Sequence, residues 1–269
     1  MPFTDDGLTH LEANGVPALP AGQTGTVDND GARIWYARFG KGPEVILLHG
    51  GLGDATNFAY QIPALVAAGY TVTAIDSRGQ GHSTRDGKRY SYQLMASDTR
   101  AVMDKLGIDK AAIVGWSDGA ATGIVMAHDT PERVDGVFFF ACCIDETGLN
   151  PFRPTPVIDR IYNHHIRDYL AMSPTPALAD FERMRDDLGP MQQGEPNYSA
   201  AQMATIKVAV WGVVGDHDEF IKADHVRYIA QSIPGARFVL LSGVSHFAPL
   251  QRPDMFNATI LEFLRSLPR

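Results

Sequence analysis

The run Gly115-Trp116-Ser117-Asp118-Gly119 brackets one serine with two glycines. A serine hydroxyl is too weakly acidic to attack a carbonyl at neutral pH unaided. It needs a base within hydrogen-bond reach and a third group that holds the base in one tautomer. Downstream stand Asp218, in Gly215-Asp216-His217-Asp218, and then His246, in Gly243-Val244-Ser245-His246. Nucleophile, carboxylate and imidazole in that order suit acyl transfer through a covalent acyl-enzyme. Such chemistry also needs donors for the developing oxyanion. The backbone N–H groups of Asp118 and of Gly51, in His49-Gly50-Gly51-Leu52-Gly53-Asp54, are the candidates.

A nucleophile of this kind needs a strand before it and a helix after it. Residues 111–114 read as an apolar strand, and the small residues that follow, through Met126 and His128, have helical character. The sharp turn between them forces strained backbone angles on Ser117 and lifts its hydroxyl off the sheet edge. Gly115 and Gly119 remove side chains that would strike the neighbouring backbone. Because the turn opens a helix, the Asp118 N–H points, with the positive end of the dipole, toward an oxygen on the attacked carbon. Residues 45–48 have the continuous apolar character of a strand buried on both faces, and the glycine loop follows directly. That loop lacks the lysine and spacing of a phosphate-binding loop, so Gly51 is read as the second oxyanion donor. His49 is read as a brace for the loop, and Asp76 and Arg78 as structural residues bonded to loop backbone.

Around this centre, strands are expected at 71–75, 134–141, 207–214 and 236–241, alternating with helices at 58–68, 91–106, 219–231 and 254–267. The alternation predicts parallel pairing, right-handed crossovers and a sheet covered on both faces, with a ligand at the carboxyl ends of the strands. Residues 23–27 and 33–39, joined through Asp28-Asn29-Asp30-Gly31, read as a hairpin that gives the sheet an antiparallel edge. The core then comprises 23–144 and 206–269. Residues 1–22 lack periodicity and read as a surface arm. Residues 145–205, punctuated by Pro151, Pro154, Pro156, Pro174, Pro176, Pro190 and Pro196, read as a helical insertion after the sixth strand. It is placed to cover the serine as a lid.

The 269 residues are 45% hydrophobic, enough for one large core domain. A net charge of −8 and the lack of any Lys/Arg-rich run argue against nucleic acid as a partner. The start of the chain lacks a basic-then-apolar pattern, and no apolar run approaches the roughly eighteen residues of a membrane span, so the expected location is cytoplasmic. Cys142 and Cys143, adjacent, suit neither a disulfide framework nor a zinc site and are read as buried reduced thiols at a strand end. His164 and His165 have only Asp168 at helical spacing, so no metal site is expected there.

Taken together, the glycine loop after His49, the turn Asp76-Ser77-Arg78-Gly79-Gln80-Gly81-His82-Ser83, the Ser117 elbow and the loops carrying Asp218 and His246 resemble the α/β-hydrolase fold superfamily. The resemblance covers nearly all of the chain from Gln23. The cofactor-free, single-lid branch of esterases, lactonases, carbon–carbon bond hydrolases and perhydrolases looks nearest, and the Trp-Ser-Asp-Gly elbow is similar to that of valacyclovir-hydrolase-like enzymes. It implies an α/β fold with a mostly parallel twisted sheet of about eight strands, helices on both faces and a helical lid. It also implies Asp218 as the acid, with Asp216 as the alternative, and no metal or organic cofactor. A serine at the elbow, where an aspartate would form an alkyl ester, favours carbonyl substrates. The expected activity is that of a carboxylesterase acting on a small-molecule acyl substrate. Lactone, carbon–carbon bond and peroxide chemistry are the alternatives, and a small-molecule receptor with little turnover is a different class of function on the same scaffold. The Asp118 side chain has two readings: it attracts a substrate ammonium, or it caps its helix or pairs with an arginine.

Overall fold

Strand and helix alternate along the chain because apolar runs of five to seven residues, ended by glycine or polar turns, alternate with longer amphipathic segments. The computed structural model describes residues 3–268. Its strands are β1 (Gln23–Asn29), β2 (Ala32–Gly40), β3 (Glu44–Leu48), β4 (Thr71–Ile75), β5 (Ala111–Trp116), β6 (Val134–Phe140), β7 (Ala209–Gly215) and β8 (Arg237–Leu241). They form one eight-stranded sheet in the order β1-β2-β4-β3-β5-β6-β7-β8. β2 runs antiparallel to both β1 and β4, and every other pairing is parallel. The β1–β2 turn is tighter than the four residues expected. Asp30 (φ 44°) and Gly31 (φ 87°) alone make it, both in the positive-φ region that a two-residue hairpin requires.

The helices are α1 (Asp6–Asn14), α2 (Gln61–Ala67), α3 (Tyr92–Leu106), α4 (Asp118–Asp129), α5 (Pro156–Met172), α6 (Leu178–Gly194), α7 (Ala200–Met203), α8 (Ala223–Ser232), α9 (Ala248–Gln251) and α10 (Pro253–Ser266). Side chains alternate across the sheet and build a core on each face. Ile46, Leu48, Ile113, Val137 and Phe139 pack with Val102 and Met103 of α3, Ile124 of α4 and Ile229 of α8. Val45, Leu47, Val114, Phe138 and Phe140 pack with Ile62 and Leu65 of α2 and Phe256, Ile260 and Phe263 of α10. Among the described residues, no helix is long and apolar enough to cross a membrane.

Residues 1–22, expected to lack regular structure, contain α1. Its only buried side chains, Leu8 and Leu11, enter the same core as α10. A single apolar pair three residues apart is too short a pattern for periodicity to reveal. Arg160 of α5 ties α1 down, pairing with Asp5 at 2.5 Å and with Glu12 at 3.1 Å. Between β6 and β7 the chain forms α5, α6 and α7. Thr155 and Ser199 cap α5 and α7 by accepting from the backbone N–H groups of Ile158 and Gln202.

Candidate active site

Ser117 sits between the end of β5 and the start of α4 with φ 53° and ψ −119°, a conformation side chains rarely tolerate. The surroundings leave it little choice. Its N–H donates to Phe140 O at 2.8 Å, and its carbonyl accepts from the N–H groups of Ala120 and Ala121 at 2.8 and 3.1 Å. A Cβ at position 115 would lie 2.4 Å from Gly119 O, and one at 119 would lie 2.0 Å from Leu48 O. The two glycines are therefore demanded by backbone approaching backbone.

His246 lies on the loop after β8, and its Nδ1 is 3.0 and 3.1 Å from the two carboxylate oxygens of Asp218. A carboxylate only accepts, so Nδ1 carries the proton and Nε2 is left as the basic nitrogen. Asp218 is fixed in turn. Its Oδ1 accepts from the N–H groups of Phe220 and Ile221 at 2.9 and 2.8 Å, and Asn150 Nδ2 donates to its carbonyl at 3.1 Å. Asp216, the alternative acid, instead accepts from Gly243 N–H at 2.7 Å and from the Ser242 hydroxyl at 3.1 Å, bracing the loop that precedes the histidine. Burial works against the His246 imidazolium. The charge and hydrogen bond of Asp218, aided by Glu219 and Asp118, outweigh it and hold the pKa above the ordinary 6.5.

Ser117, His246, Gly50, Gly51 and Asp118 all line one cavity of about 230 Å³ at the carboxyl ends of the strands. Its walls are mainly apolar, with Leu52, Leu149, Ile221 and Phe247 from the body and Ile158, Ile161 and Tyr162 from α5. Among the described residues, neither the Asp118 N–H nor the Gly51 N–H has a hydrogen-bond acceptor. Ser117 Oγ likewise has no partner among the described residues. His49 braces the glycine loop as expected, with Nδ1 2.7 Å from Gly50 O and Nε2 accepting from Ser77 N–H at 2.9 Å. Asp76 accepts from Ala55 and His82 N–H groups, and buried Arg78 spans Asp98 and the carbonyls of Asn29 and Asp30.

Among the described residues, the Asp118 carboxylate neither caps α4 nor meets an arginine. It is 3% exposed, and it accepts from the Tyr92 hydroxyl and from Gln192 Nε2, each at 2.9 Å. Burial raises its pKa, and the two donors offset only part of that rise. Tyr92 comes from the first turn of α3 and Gln192 from the end of α6, so a residue of the insertion is bonded directly to the elbow. Sequence reasoning missed both. Neither residue stands in a motif, and Gln192 follows a proline inside a helix whose apolar pattern is weak. Trp116, Phe220 and Glu219 were also missed. Phe220 and Trp116 flank the His246 ring at centroid distances of 4.9 and 6.1 Å, and Glu219 accepts from the His246 N–H at 3.0 Å. Their sequence neighbours Ser117 and Asp218 were the available signal.

The two cysteines lie where the sequence put them, reduced and buried just beyond β6, yet they also line the cavity. His164 is 3.1 Å from Asp168 within α5, and His165 reaches the cavity wall. Among the described residues, no three His, Cys, Asp or Glu side chains converge as metal ligands would.

Residues 43–165 match the family model described as alpha/beta hydrolase fold. The chain is similar to the serine hydrolase BPHL of Mus musculus, 27% identical over 254 residues that span 88% of this chain and 84% of that protein. It is similar also to 2-hydroxy-6-oxo-6-phenylhexa-2,4-dienoate hydrolase of Burkholderia cepacia, 28% identical over 264 residues, 86% of this chain and 91% of that one. Among solved structures, the enol-lactonase from Burkholderia xenovorans LB400 superposes with a TM-score of 0.71 at 23% identity, over 90% of this chain and all of that one, a likeness of fold.

Proposed function

We propose that this chain, which belongs to the α/β-hydrolase superfamily, is a serine hydrolase that cleaves a carboxylic ester or related acyl bond of a small molecule. The observation that carries the proposal is a strained Ser117 facing the same cavity as a histidine whose Nδ1 is held by a carboxylate. In the proposed reaction His246 Nε2 takes the Ser117 proton as Oγ attacks the carbonyl carbon. The N–H groups of Asp118 and Gly51 hold the tetrahedral oxyanion. His246 then protonates the leaving oxygen, and water, deprotonated by the same nitrogen, releases the acyl group from Ser117. Asp218 keeps the proton on Nδ1 and favours the imidazolium as it forms.

The cavity suits a small substrate with an apolar body and some polarity near the nucleophile. Both polar atoms of the Asn57 amide and Trp116 Nε1 are buried without a hydrogen-bond partner among the described residues, and both residues line the cavity. A second carbonyl or hydroxyl on the substrate would satisfy them. α5 and α6 act as the lid in this reading, since they supply one wall of the cavity. An ammonium-binding role for Asp118 requires a substrate amine to displace Gln192 from its carboxylate. If Asp118→Asn leaves the preference between amino-acid esters and neutral esters unchanged, that role is excluded.

The test is labelling with a fluorophosphonate probe, comparing the unmodified chain with Ser117→Ala and His246→Ala, followed by a chain-length series of p-nitrophenyl esters. Labelling that disappears in both variants supports the activated serine, and the chain-length optimum then measures the acyl pocket. A folded chain that binds small esters and neither labels nor turns over would be a receptor on a hydrolase scaffold.

A further inference from the structure

Cys142 and Cys143 are neighbours in sequence, 4% and 3% exposed, and both line the catalytic cavity. The proposed hydrolysis uses neither. They follow β6 through Ala141, which takes φ 56°, so the chain leaves the sheet in a turn that presents both side chains at the carboxyl end of the strands. Packing fixes them there. A Cβ at Gly148 would lie 2.5 Å from both Cys143 Cβ and the His225 ring, and His225 Nε2 accepts from the Ile144 N–H at 3.2 Å. Cys142 Sγ is 3.4 Å from the Cys143 carbonyl oxygen.

The two thiols are not equivalent. Contact with Cys143 pushes the Cys142 thiol up, and burial adds to the rise. The same contact lowers Cys143 against its own burial. Cys142 therefore keeps its proton, which it donates to the Cys143 carbonyl oxygen, and Cys143 is the more acidic thiol of the two. A thiolate with a protonated thiol beside it, facing a cavity that admits small molecules, has the parts of a two-step oxidation site.

We infer that Cys142 and Cys143 form a reversible oxidation site in the wall of the catalytic cavity, converted by a small hydroperoxide to a vicinal disulfide that impedes access to Ser117. In the first step the Cys143 thiolate attacks the terminal peroxide oxygen and the O–O bond breaks. The sulfur takes up OH as a sulfenic acid, and the alkoxide or hydroxide leaves and is protonated. In the second step Cys142 sulfur, losing its proton, attacks the Cys143 sulfur. The S–S bond forms, the S–O bond breaks and water departs. Two thiols have lost two electrons, and one peroxide has been reduced to water and an alcohol, or to two waters. Adjacent Cα atoms are held about 3.8 Å apart by a trans peptide, closer than the roughly 4.4–6.8 Å of ordinary disulfides. The ring is therefore readily reopened by an added thiol, which makes the modification reversible.

The test treats the intact chain with hydrogen peroxide, removes it, and reads the tryptic peptide that carries both cysteines by mass. Fluorophosphonate labelling is followed in parallel. The expected peptide is about 2 Da lighter, with labelling slowed and both changes undone by dithiothreitol. Cys142→Ser should stop at the sulfenic acid, about 16 Da heavier, and Cys143→Ser should show neither product at the same peroxide dose. Each variant is compared with its own untreated sample, and a thermal melt establishes that it is folded. Recovery of the reduced peptide from the treated wild type overturns the inference. So does a loss of labelling that is equally large in the Cys142→Ser/Cys143→Ser double variant. The mass readout does not depend on Ser117, so the inference can fail or stand independently of the hydrolase reading.

Discussion

Asp218 grips the His246 ring through both carboxylate oxygens, at 3.0 and 3.1 Å from Nδ1, while two N–H groups of its own turn hold the same carboxylate from behind. The imidazole is thereby fixed in tautomer and direction before any ligand arrives. Asp218→Asn retains the shape and loses the charge, and the replacement amide can present its N–H to the ring and favour the wrong tautomer. Turnover of an ester substrate should fall by roughly 10³- to 10⁴-fold while the thermal melt shifts little. Asp216→Asn should spare most of that activity, because Asp216 braces the loop and does not touch the ring.

The raised His246 pKa predicts the acid limb of the pH profile. His246 must be neutral to take the serine proton, so activity is lost as pH falls through its pKa and recovered above it. The midpoint of kcat/KM should lie above the ordinary 6.5. In Glu219→Gln, which removes one of the charges favouring the imidazolium, the midpoint should move down.

Gly51 faces the Gln192–Asp118 hydrogen bond. A Cβ at this position would lie 2.3 Å from Gln192 Nε2 and 2.6 Å from Asp118 Oδ2. Gly51→Ala should push the Gln192 side chain aside and shift the proposed oxyanion donor, lowering kcat by roughly 10²-fold. Adding Gln192→Ala should relieve part of the collision, and a double-mutant cycle on kcat should show coupling between the two sites. Strict additivity would rule out the steric account.

Removing the Tyr92 hydroxyl leaves a buried carboxylate short of a donor. Tyr92→Phe should destabilise the fold by about 1–3 kcal/mol at neutral pH in a urea titration. The pH dependence has a definite sign. The native Asp118 pKa lies above the unfolded value of 3.8, so between the two the native state binds more protons and stability falls as pH rises. Tyr92→Phe raises the native pKa further and should extend that fall to higher pH.

Arg78 is 1% exposed and pairs with Asp98 at 2.7 Å while donating to the Asn29 carbonyl at 3.1 Å. It pins the β1–β2 turn to α3 and does not line the cavity that holds Ser117. Arg78→Ala strands the Asp98 carboxylate, whose pKa burial already raises against its bonds to Arg78, and should cost roughly 3–5 kcal/mol in chemical denaturation. A loss below about 1 kcal/mol, the range of solvent-exposed ion pairs, would mean that water reaches the pair.

Much of this protein was legible before any coordinates. Gly115 and Gly119 mark the elbow because backbone packs on backbone there, a steric demand written in residue type. Continuous apolar runs identified the buried strands, since a strand covered on both faces has no polar side to display. Asp218 and His246 stand in loops just after β7 and β8, so their order along the chain already implied one end of the sheet. Tertiary structure alone decided which side chains those residues meet. Tyr92 and Gln192 reach Asp118 from 26 and 74 residues away. Whether Asp118 meets a hydroxyl, an amide or an arginine depends on how α3 and α6 pack around the elbow, and no local pattern records that packing. The cysteines show the same division. Adjacency and burial could be read from sequence, but their place in the wall of the cavity that Ser117 lines follows from β5 and β6 lying side by side. Sequence specifies conformation wherever the controlling forces act between near neighbours in the chain, and the site's partners are chosen by forces that act only after distant elements have come together.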